Sequence, residues 1–224
     1  MLRSNFQKNN PEADVLIKCE GGCRFGIMGG SFDPIHYGHL MLAEQIRTQF
    51  HLDKVYFIPV GNAPHKEAGF MTDKMQRYEM TVLATMTNTG FAVSRIEIDS
   101  DTVSYTINTV KKLKEHLEPE DTLYFITGAD AIIELETWKN FEELLGICKF
   151  IGATRPGVDR SKLVSKIDEL KNKYGADIST TTVPALAISS TDIRDRVKSD
   201  QSIRYLLPDS VEHYIYKKNL YKNG

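Results

Sequence analysis

The segment from residue 24 to residue 50 constrains the fold more than any other part of the sequence. Its first residues, 24–28, form a short apolar run that predicts a β-strand, and a turn of small residues follows. Beyond the turn, apolar side chains recur at the spacing of an amphipathic helix: Leu40, Leu42, Ala43, Ile46 and Phe50. A strand that passes through a turn into a helix is the unit of a parallel α/β sheet. The turn should therefore lie at the carboxyl edge of the sheet, where ligands bind.

The same alternation continues to the end of the chain. Further strands are predicted at 54–59, 91–98, 123–127, 148–154 and 177–183, and helices near 73–88, 105–117, 139–146 and 161–174. With right-handed crossovers, this predicts a Rossmann-like, doubly wound parallel sheet of the α/β class, with helices on both faces and a small C-terminal helical part. Residues 24–224 should form a single domain, preceded by an N-terminal extension, 1–23, that is a loose tail or an added edge segment.

Composition narrows the class of protein. The 224 residues are 41% hydrophobic and 26% charged, and 28 basic against 30 acidic side chains give a net charge of −2. There is no global basic field of the kind that nucleic-acid-binding proteins carry. Three cysteines without metal-site spacing suit a reducing compartment, and no signal-peptide core or membrane-length apolar run occurs. We therefore expect a cytoplasmic enzyme without nucleic-acid or membrane partners, for which a homo-oligomer is compatible with the sequence.

Residues 29–39, Gly-Gly-Ser-Phe-Asp-Pro-Ile-His-Tyr-Gly-His, have the features of a triphosphate site. Gly29 and Gly30 allow the backbone to approach a phosphate closely. The helix that begins near Gly38 directs unpaired N–H groups and its positive dipole end toward the same place. His36 and His39 supply side-chain donors. A lone histidine at a helix start is more often a cap or a surface residue, so the joint pattern carries the prediction.

A second motif lies about 150 residues later, in Ile188-Ser189-Ser190-Thr191-Asp192-Ile193-Arg194. By itself it predicts a helix start, because hydroxyl residues are favoured N-caps and Asp192 complements the helix dipole. Hydroxyl groups, helix-start N–H groups and one guanidinium also suit the outer phosphates of ATP, since arginine offers paired donors to phosphate oxygens.

These two motifs resemble the H-x-G-H nucleotidyltransferases, whose fuller pattern is Gly-Gly-Ser/Thr-Phe-Asp-Pro-x-His-x-Gly-His. Over residues 24–221 the finer resemblance is to bacterial nicotinate mononucleotide adenylyltransferases. The chain departs from that family's pattern at Ala63, usually a second proline, and at Thr102-Val103, usually Gly-Pro. Other markers fall in the family's order: Pro59, Pro64-His65-Lys66, Arg77, Ser104-Tyr105-Thr106, Gly128-Ala129-Asp130, Trp138, Arg155-Pro156-Gly157, Tyr205-Leu206-Leu207-Pro208, Val211, Tyr214-Ile215 and Leu220-Tyr221.

The resemblance implies attack by the phosphate of nicotinate mononucleotide on the α-phosphorus of ATP, which gives nicotinate adenine dinucleotide and pyrophosphate in NAD biosynthesis. A phosphate monoester has its second pKa near about 6, so it needs no strong general base at neutral pH. The implied catalytic residues are His36, His39, Lys66 and Arg194, with His39 at the α-phosphate. Mg²⁺ would accompany ATP and bridge its phosphates, and no protein metal ligands are predicted.

The resemblance also implies the substrate-binding residues. Trp138 would stack on the pyridine ring, and the backbone of Tyr105 and Thr106 would bind its carboxylate, with Arg155 near the mononucleotide. For Trp138 a place in the core is the plain alternative, and for Lys66 a place on the solvated surface. The ATP-binding residues implied are Gly29, Gly30, Ser31, Phe32, Gly38, Asp130, Ile188, Ser189, Ser190 and Thr191.

Three alternatives remain open at the level of sequence. Phosphopantetheine adenylyltransferases share the two-histidine motif but are typically shorter. A class I aminoacyl-tRNA synthetase fragment would explain the histidines, although the chain lacks a basic surface for RNA. A noncatalytic nucleotide-sensing module would retain ATP binding without turnover. Neither a Walker A pattern nor G-x-G-x-x-G occurs, which argues against a P-loop kinase or an ordinary dehydrogenase.

Overall fold

A computed structural model describes residues 21–63, 71–155, 160–184 and 186–222. Six parallel strands form one sheet in the order β3-β2-β1-β4-β5-β6. They are β1 Arg24–Gly30, β2 Lys54–Pro59, β3 Phe91–Val93, β4 Thr122–Gly128, β5 Lys149–Thr154 and β6 Ile178–Thr182. The strand order reverses between β1 and β4, so a crevice opens there at the carboxyl edge. The predicted doubly wound, Rossmann-like sheet is confirmed.

Eight α-helices are found in the described part of the chain. They are α1 Tyr37–Gln49, α2 Lys74–Thr85, α3 Thr106–Lys114, α4 Ala129–Ile133, α5 Phe141–Ile147, α6 Ser161–Tyr174, α7 Ser190–Lys198 and α8 Asp209–Lys217. A short 3₁₀ turn, Leu135–Thr137, joins α4 to α5. The last two helices are the predicted C-terminal helical part, and α8 packs against α2.

The helices cover both faces of the sheet because strand side chains alternate between two cores. On β1, Phe25 and Ile27 belong to the core that α3, α4, α5 and α6 close, whereas Met28 belongs to the core that α1, α2, α7 and α8 close. Both cores bury near-continuous apolar strands, as expected of a parallel sheet. The first turn of α1 is thus brought to one side of the crevice and the start of α3 to the other.

Strand β3 is shorter than predicted. The sequence predicts a strand through residue 98, but β3 ends at Val93. The hydroxyl of Ser94 accepts the N–H of Ile96, and Arg95 pairs with Asp99 at 2.5 Å, so the chain turns immediately after the strand. Local side-chain bonds of this kind compete with strand pairing.

Two smaller findings concern composition. Among the described residues, Cys148 is a free, buried thiol. Within the described ranges, no helix has the length and apolar character that a bilayer crossing requires. The predicted extension 1–23 lies almost wholly outside the described residues.

Candidate active site

Helix α1 begins at the crevice, directly after the turn that follows β1. His36 is its N-cap residue, and the Tyr37 N–H donates to the backbone oxygen of Leu206 at 3.1 Å. In the middle of the turn Phe32 has a φ of 47°, which is uncommon for a bulky residue. Its buried ring packs edge-on against His39 with 5.2 Å between ring centroids. Burial of Phe32 therefore holds the turn and supports the imidazole above it.

The two imidazoles lie against each other. Their centroids are 3.8 Å apart with an interplanar angle of 26°. The backbone N–H of His36 donates to Nδ1 of His39 at 3.3 Å, which makes Nδ1 an acceptor. In a neutral imidazole the proton then resides on Nε2, so His39 can offer an Nε2–H donor to a ligand.

Burial keeps both imidazoles neutral. Desolvation lowers the pKa of His36 to about 4. It also lowers the pKa of His39 to about 3, with a smaller contribution from the neighbouring His36. The ordinary pKa of histidine is about 6.5, so both rings are uncharged at neutral pH. They can serve as neutral hydrogen-bond donors to phosphate oxygens.

The late motif packs directly onto the early one. Arg194 Nη1 donates to the backbone oxygen of Asp33 at 2.7 Å, and the hydroxyl of Ser190 donates to the backbone oxygen of Pro34 at 2.9 Å. The partners of the first bond are 161 positions apart in the chain, and those of the second are 156 positions apart. Helix α7 is therefore anchored to the turn that leads into α1, and the guanidinium and the imidazoles lie at the same edge of the sheet.

The hydroxyl groups of the late motif are occupied within the protein. Ser189 is the N-cap of α7 and accepts the Asp192 N–H at 3.1 Å, so the plain interpretation of Ser189 as a cap is correct. The Thr191 hydroxyl accepts from Arg194 Nη2 at 3.2 Å. A guanidinium has five N–H donors, and these bonds to described residues use two of them. The donors that remain on Arg194 can bind a polyanion.

A cavity of about 360 Å³ contains the histidine site. Three further sets of residues line it: the ends of β4, β5 and β6, one side of α1, and the segment before α7. Its described lining is His36, Gly38, His39, Met41, Leu42, Gly128, Ala153, Thr154, Arg155, Val183, Pro184, Leu186, Ile188, Ser189 and Ser190. Sequence reasoning missed most of the apolar members, although the ends of parallel strands are where ligand-contacting residues are expected.

The cavity also holds Arg155, which the resemblance placed near the mononucleotide. Arg155 follows the last residue of β5 and lines the space that the imidazoles line. The structure groups it with the residues expected to bind ATP. A larger cavity, about 600 Å³, lies between α1, the end of α2 and parts of segments 186–188 and 205–210, with both apolar and polar side chains, but neither imidazole lines it.

Apart from Arg155, the residues expected to bind the mononucleotide lie at the opposite face of the sheet, against the core that α3, α4, α5 and α6 close. Tyr105 is the N-cap of α3, so Thr106 opens the helix and contributes a first-turn N–H. Trp138 packs edge-on against Phe125 at 5.5 Å, and both Tyr105 and Trp138 are only partly buried. Trp138 thus packs partly in the core, as the plain alternative predicted, and is partly accessible to a ligand.

The group formed by Tyr105, Thr106 and Trp138 lies close to the phosphate turn at Gly29. A side chain at Gly29 would lie 3.9 Å from Phe125, the ring on which Trp138 packs. Lys139, next to Trp138, places its ammonium 4.0 Å from the centroid of the Tyr105 ring. The imidazoles and this aromatic group thus belong to opposite faces of the sheet near the carboxyl end of β1.

Two glycines of the first motif are required by close packing. A Cβ at Gly38 would lie 3.0 Å from Cε1 and Nδ1 of the His36 ring. A Cβ at Gly30 would lie 2.9 Å from the Phe32 ring. Larger residues would displace these rings, so the glycines preserve the imidazole arrangement as well as access for a ligand.

The remaining predicted residues have varied placements. Asp130 is exposed in the first turn of α4, beside Gly128 of the cavity lining. The backbone oxygen of Ser31 accepts from Arg77 Nη1 at 2.8 Å. Lys66 lies outside the described residues, as do Pro64, His65, Pro156 and Gly157. No cluster of three or more histidine, cysteine or acidic side chains suited to a metal occurs among the residues that the structure describes.

Comparison with known proteins identifies the family of this chain. Residues 27–196 match the cytidylyltransferase-like family. A relative from Thermoanaerobacter sp. (strain X514), described as "Probable nicotinate-nucleotide adenylyltransferase", is 55% identical over 199 residues, covering 89% of this chain and 94% of the relative. A relative from Moorella thermoacetica with the same description is 53% identical and covers 89% and 92% of the two chains. The chain belongs to the nicotinate-nucleotide adenylyltransferase family.

A solved structure agrees with this fold. The chain superposes on Plasmodium falciparum nicotinic acid mononucleotide adenylyltransferase complexed with NaAD with a TM-score of 0.72, at 23% sequence identity, covering 90% of this chain and 98% of that one. At this identity the likeness bears on the fold alone. The doubly wound sheet observed here is thus the fold that the resemblance to nicotinate-nucleotide adenylyltransferases implied.

Proposed function

We propose that this protein transfers the adenylyl group of ATP to nicotinate mononucleotide, giving nicotinate adenine dinucleotide and pyrophosphate. The observation that carries the proposal is the packing of Arg194 and Ser190 onto the turn that precedes α1. It brings a guanidinium, two neutral imidazoles and two helix starts to one crevice at the switch point of the sheet. Family membership favours this reaction over phosphopantetheine adenylylation.

The chemistry suits a site of donors without a protein nucleophile. The mononucleotide phosphate is itself the nucleophile, because its second pKa near about 6 leaves it largely dianionic at neutral pH. Its oxygen forms the new bond to the α-phosphorus of ATP while the bond to the bridging oxygen breaks and pyrophosphate leaves. The protein must align two polyanions and stabilise the charge that develops on phosphate oxygens.

We assign the donors by their positions. His39 is the donor to the α-phosphate through Nε2–H, and His36 serves the adjoining phosphate. Arg194 binds the outer phosphates with its remaining N–H groups, together with first-turn N–H groups of α1 and α7. Lys66 is a further phosphate contact in this proposal. Because the imidazoles are neutral, they add no charge that would hold pyrophosphate after transfer.

We further propose that the base and ribose of ATP occupy the apolar part of the 360 Å³ cavity, between α1 and the ends of β5 and β6. Arg155 lines this cavity and belongs to the ATP side in the proposal. The mononucleotide then lies across β1, with its pyridine ring on Trp138 and its carboxylate at the N–H groups that open α3. An N–H donor rewards a carboxylate more than an amide, so the acid should be preferred.

The donor set indicates how a divalent ion would be held. Neutral imidazoles and a guanidinium do not ligate Mg²⁺, which prefers oxygen ligands and retains its waters. We propose that Mg²⁺ arrives with ATP on its phosphate oxygens and neutralises charge there when bound. We also propose that the reaction takes place in the cytoplasm, in keeping with the composition. The proposal is compatible with a homo-oligomer.

The decisive experiment is a panel of acceptors. Purified protein is incubated with ATP, Mg²⁺ and one of nicotinate mononucleotide, nicotinamide mononucleotide or phosphopantetheine, and pyrophosphate release is followed. Nicotinate mononucleotide should give the highest kcat/KM, with nicotinate adenine dinucleotide detected by mass spectrometry. Comparable kcat/KM for acid and amide would contradict the carboxylate preference. ATP binding without pyrophosphate release from any acceptor would support a nucleotide-sensing module instead.

A further inference from the structure

The turn between β1 and α1 is held by side chains from three distant parts of the chain. Arg77 of α2 donates from Nη1 to the Ser31 oxygen, and Arg194 donates to the Asp33 oxygen. The Asp33 carboxylate accepts the Tyr221 hydroxyl on Oδ1 at 2.7 Å and the Thr72 N–H on Oδ2 at 3.2 Å. Tyr221 follows α8 and is 188 residues from Asp33 in the sequence.

The Asp33 carboxylate binds other residues of the protein and does not line the cavity. Asp33 is 2% exposed and is absent from the described cavity lining. A buried carboxylate is tolerated only with hydrogen-bond partners and a nearby positive charge. The partners are Tyr221 and Thr72, and the charge is that of Arg77, which is 1% exposed and interacts favourably with Asp33.

Asp33 also links Tyr221 to the guanidinium of the late motif. One residue receives the phenol on its side chain and Arg194 on its backbone oxygen, at 2.7 Å in each case. A shift of the Asp33 backbone, which the bond to its side chain opposes, would therefore displace the oxygen that orients Arg194. Burial, followed by the proximity of Asp33, raises the pKa of Tyr221 above its usual range, so the phenol keeps its donor proton.

We propose that Tyr221 is a positioning residue for the phosphate site: by donating to the Asp33 carboxylate, it sets the position of the Asp33 backbone oxygen and hence the orientation of Arg194. The C-terminal segment beyond α8 thereby becomes part of the machinery of the crevice, although Tyr221 itself contacts no reacting group. The kinetic part of this inference rests on the proposed function.

The test removes one hydroxyl group. Tyr221→Phe keeps the ring and should preserve the fold, and Tyr216→Phe, at a tyrosine of α8 that is 39% exposed, is the matched control. We expect kcat to fall about tenfold in Tyr221→Phe, since a hydrogen bond to a buried charge is lost, while the KM for nicotinate mononucleotide stays within about twofold. The control should match the parent protein.

A second background separates positioning from a general loss of stability. In Arg194→Lys the planar fork is absent, so adding Tyr221→Phe should lower kcat no further. An equal drop of kcat in both backgrounds would overturn the proposal, as would a Tyr221→Phe protein whose melting temperature falls while its kcat is unchanged.

A measurement without turnover keeps the inference distinct from the proposed function. Amide hydrogen exchange over residues 29–36 should be at least about tenfold faster in Tyr221→Phe and unchanged in Tyr216→Phe, with the β5 segment unchanged in both. Unchanged exchange over 29–36 would refute the positioning role even if no acceptor is adenylylated. If the parent protein adenylylates no acceptor but exchange over 29–36 is still faster in Tyr221→Phe than in the parent, the positioning role is supported and only the proposed reaction is rejected.

Discussion

Two amide replacements of His39 separate the two nitrogen atoms of its ring. In the structure Nδ1 accepts the backbone N–H of His36 at 3.3 Å, and in the proposed function Nε2 is the donor to substrate. Asparagine reaches about as far as Nδ1, and glutamine reaches about as far as Nε2. His39→Asn can therefore keep the bond to the backbone without the outer donor, whereas His39→Gln can keep the outer donor without that bond.

The expected magnitudes follow from these contacts. Removal of one preorganised donor to a developing oxyanion costs about 100-fold to 1,000-fold in kcat, or about 2.7–4 kcal/mol. His39 is partly buried and lines the cavity, and fewer surrounding water molecules would strengthen such an interaction. Loss of the bond at the helix start should cost about 0.5–2 kcal/mol of stability.

The two variants should consequently rank in opposite orders. We expect His39→Asn to be the more stable protein with kcat reduced at least about 100-fold, and His39→Gln to be less stable with kcat reduced about tenfold. Pyrophosphate release at saturating substrates gives kcat, and thermal melting gives stability. Equal kcat values for the two variants, or a kcat for His39→Asn within about threefold of the parent, would refute the assignment of Nε2–H as donor.

Three further predictions concern the same crevice. Because the folded-state pKa of His36, about 4, lies below the ordinary 6.5, the unfolded chain binds more protons between these values; His36 should contribute roughly 3 kcal/mol to a loss of stability as pH drops through that window, His39 should add to it, and His36→Gln should reduce the slope measured by denaturant titration. Arg194→Ala should lower kcat/KM for ATP about 100-fold, whereas Arg196→Ala, which breaks an exposed pair with Asp192 and a long bond to the Ser202 backbone oxygen, should change it less than about twofold; similar losses in both would contradict the phosphate role. Gly38→Ala should displace the His36 ring and raise the KM for ATP, while Gly146→Ala, where a Cβ meets no atom within 4 Å, should not; an unchanged KM in Gly38→Ala would show that the ring is not held by that contact.

Local patterns were sufficient for the fold class. The alternation of apolar strands and amphipathic helices predicts a parallel doubly wound sheet, because strand and helix periodicities are written in neighbouring residues. The predicted β1 and β2 agree closely with the observed strands. The end of β3 was predicted wrongly, since the Ser94 hydroxyl captures the Ile96 N–H after the strand.

The two motifs were also recognisable from neighbouring residues, but their partners were not. That Arg194 would donate to the Asp33 oxygen depends on how the strands are ordered, which no local pattern shows. The same holds for Arg155, which lines the histidine cavity.

Residue types and their short-range spacing thus establish which elements form and which groups carry the chemistry. The folded chain settles which of those groups meet: the stacked imidazoles, the guanidinium anchored on the turn, and the tyrosine near the C-terminus that grips a buried carboxylate. The physical reason is that hydrogen bonds and packing act over a few ångströms in space, whatever the separation along the chain. Side chains 188 residues apart become partners only when the sheet has assembled.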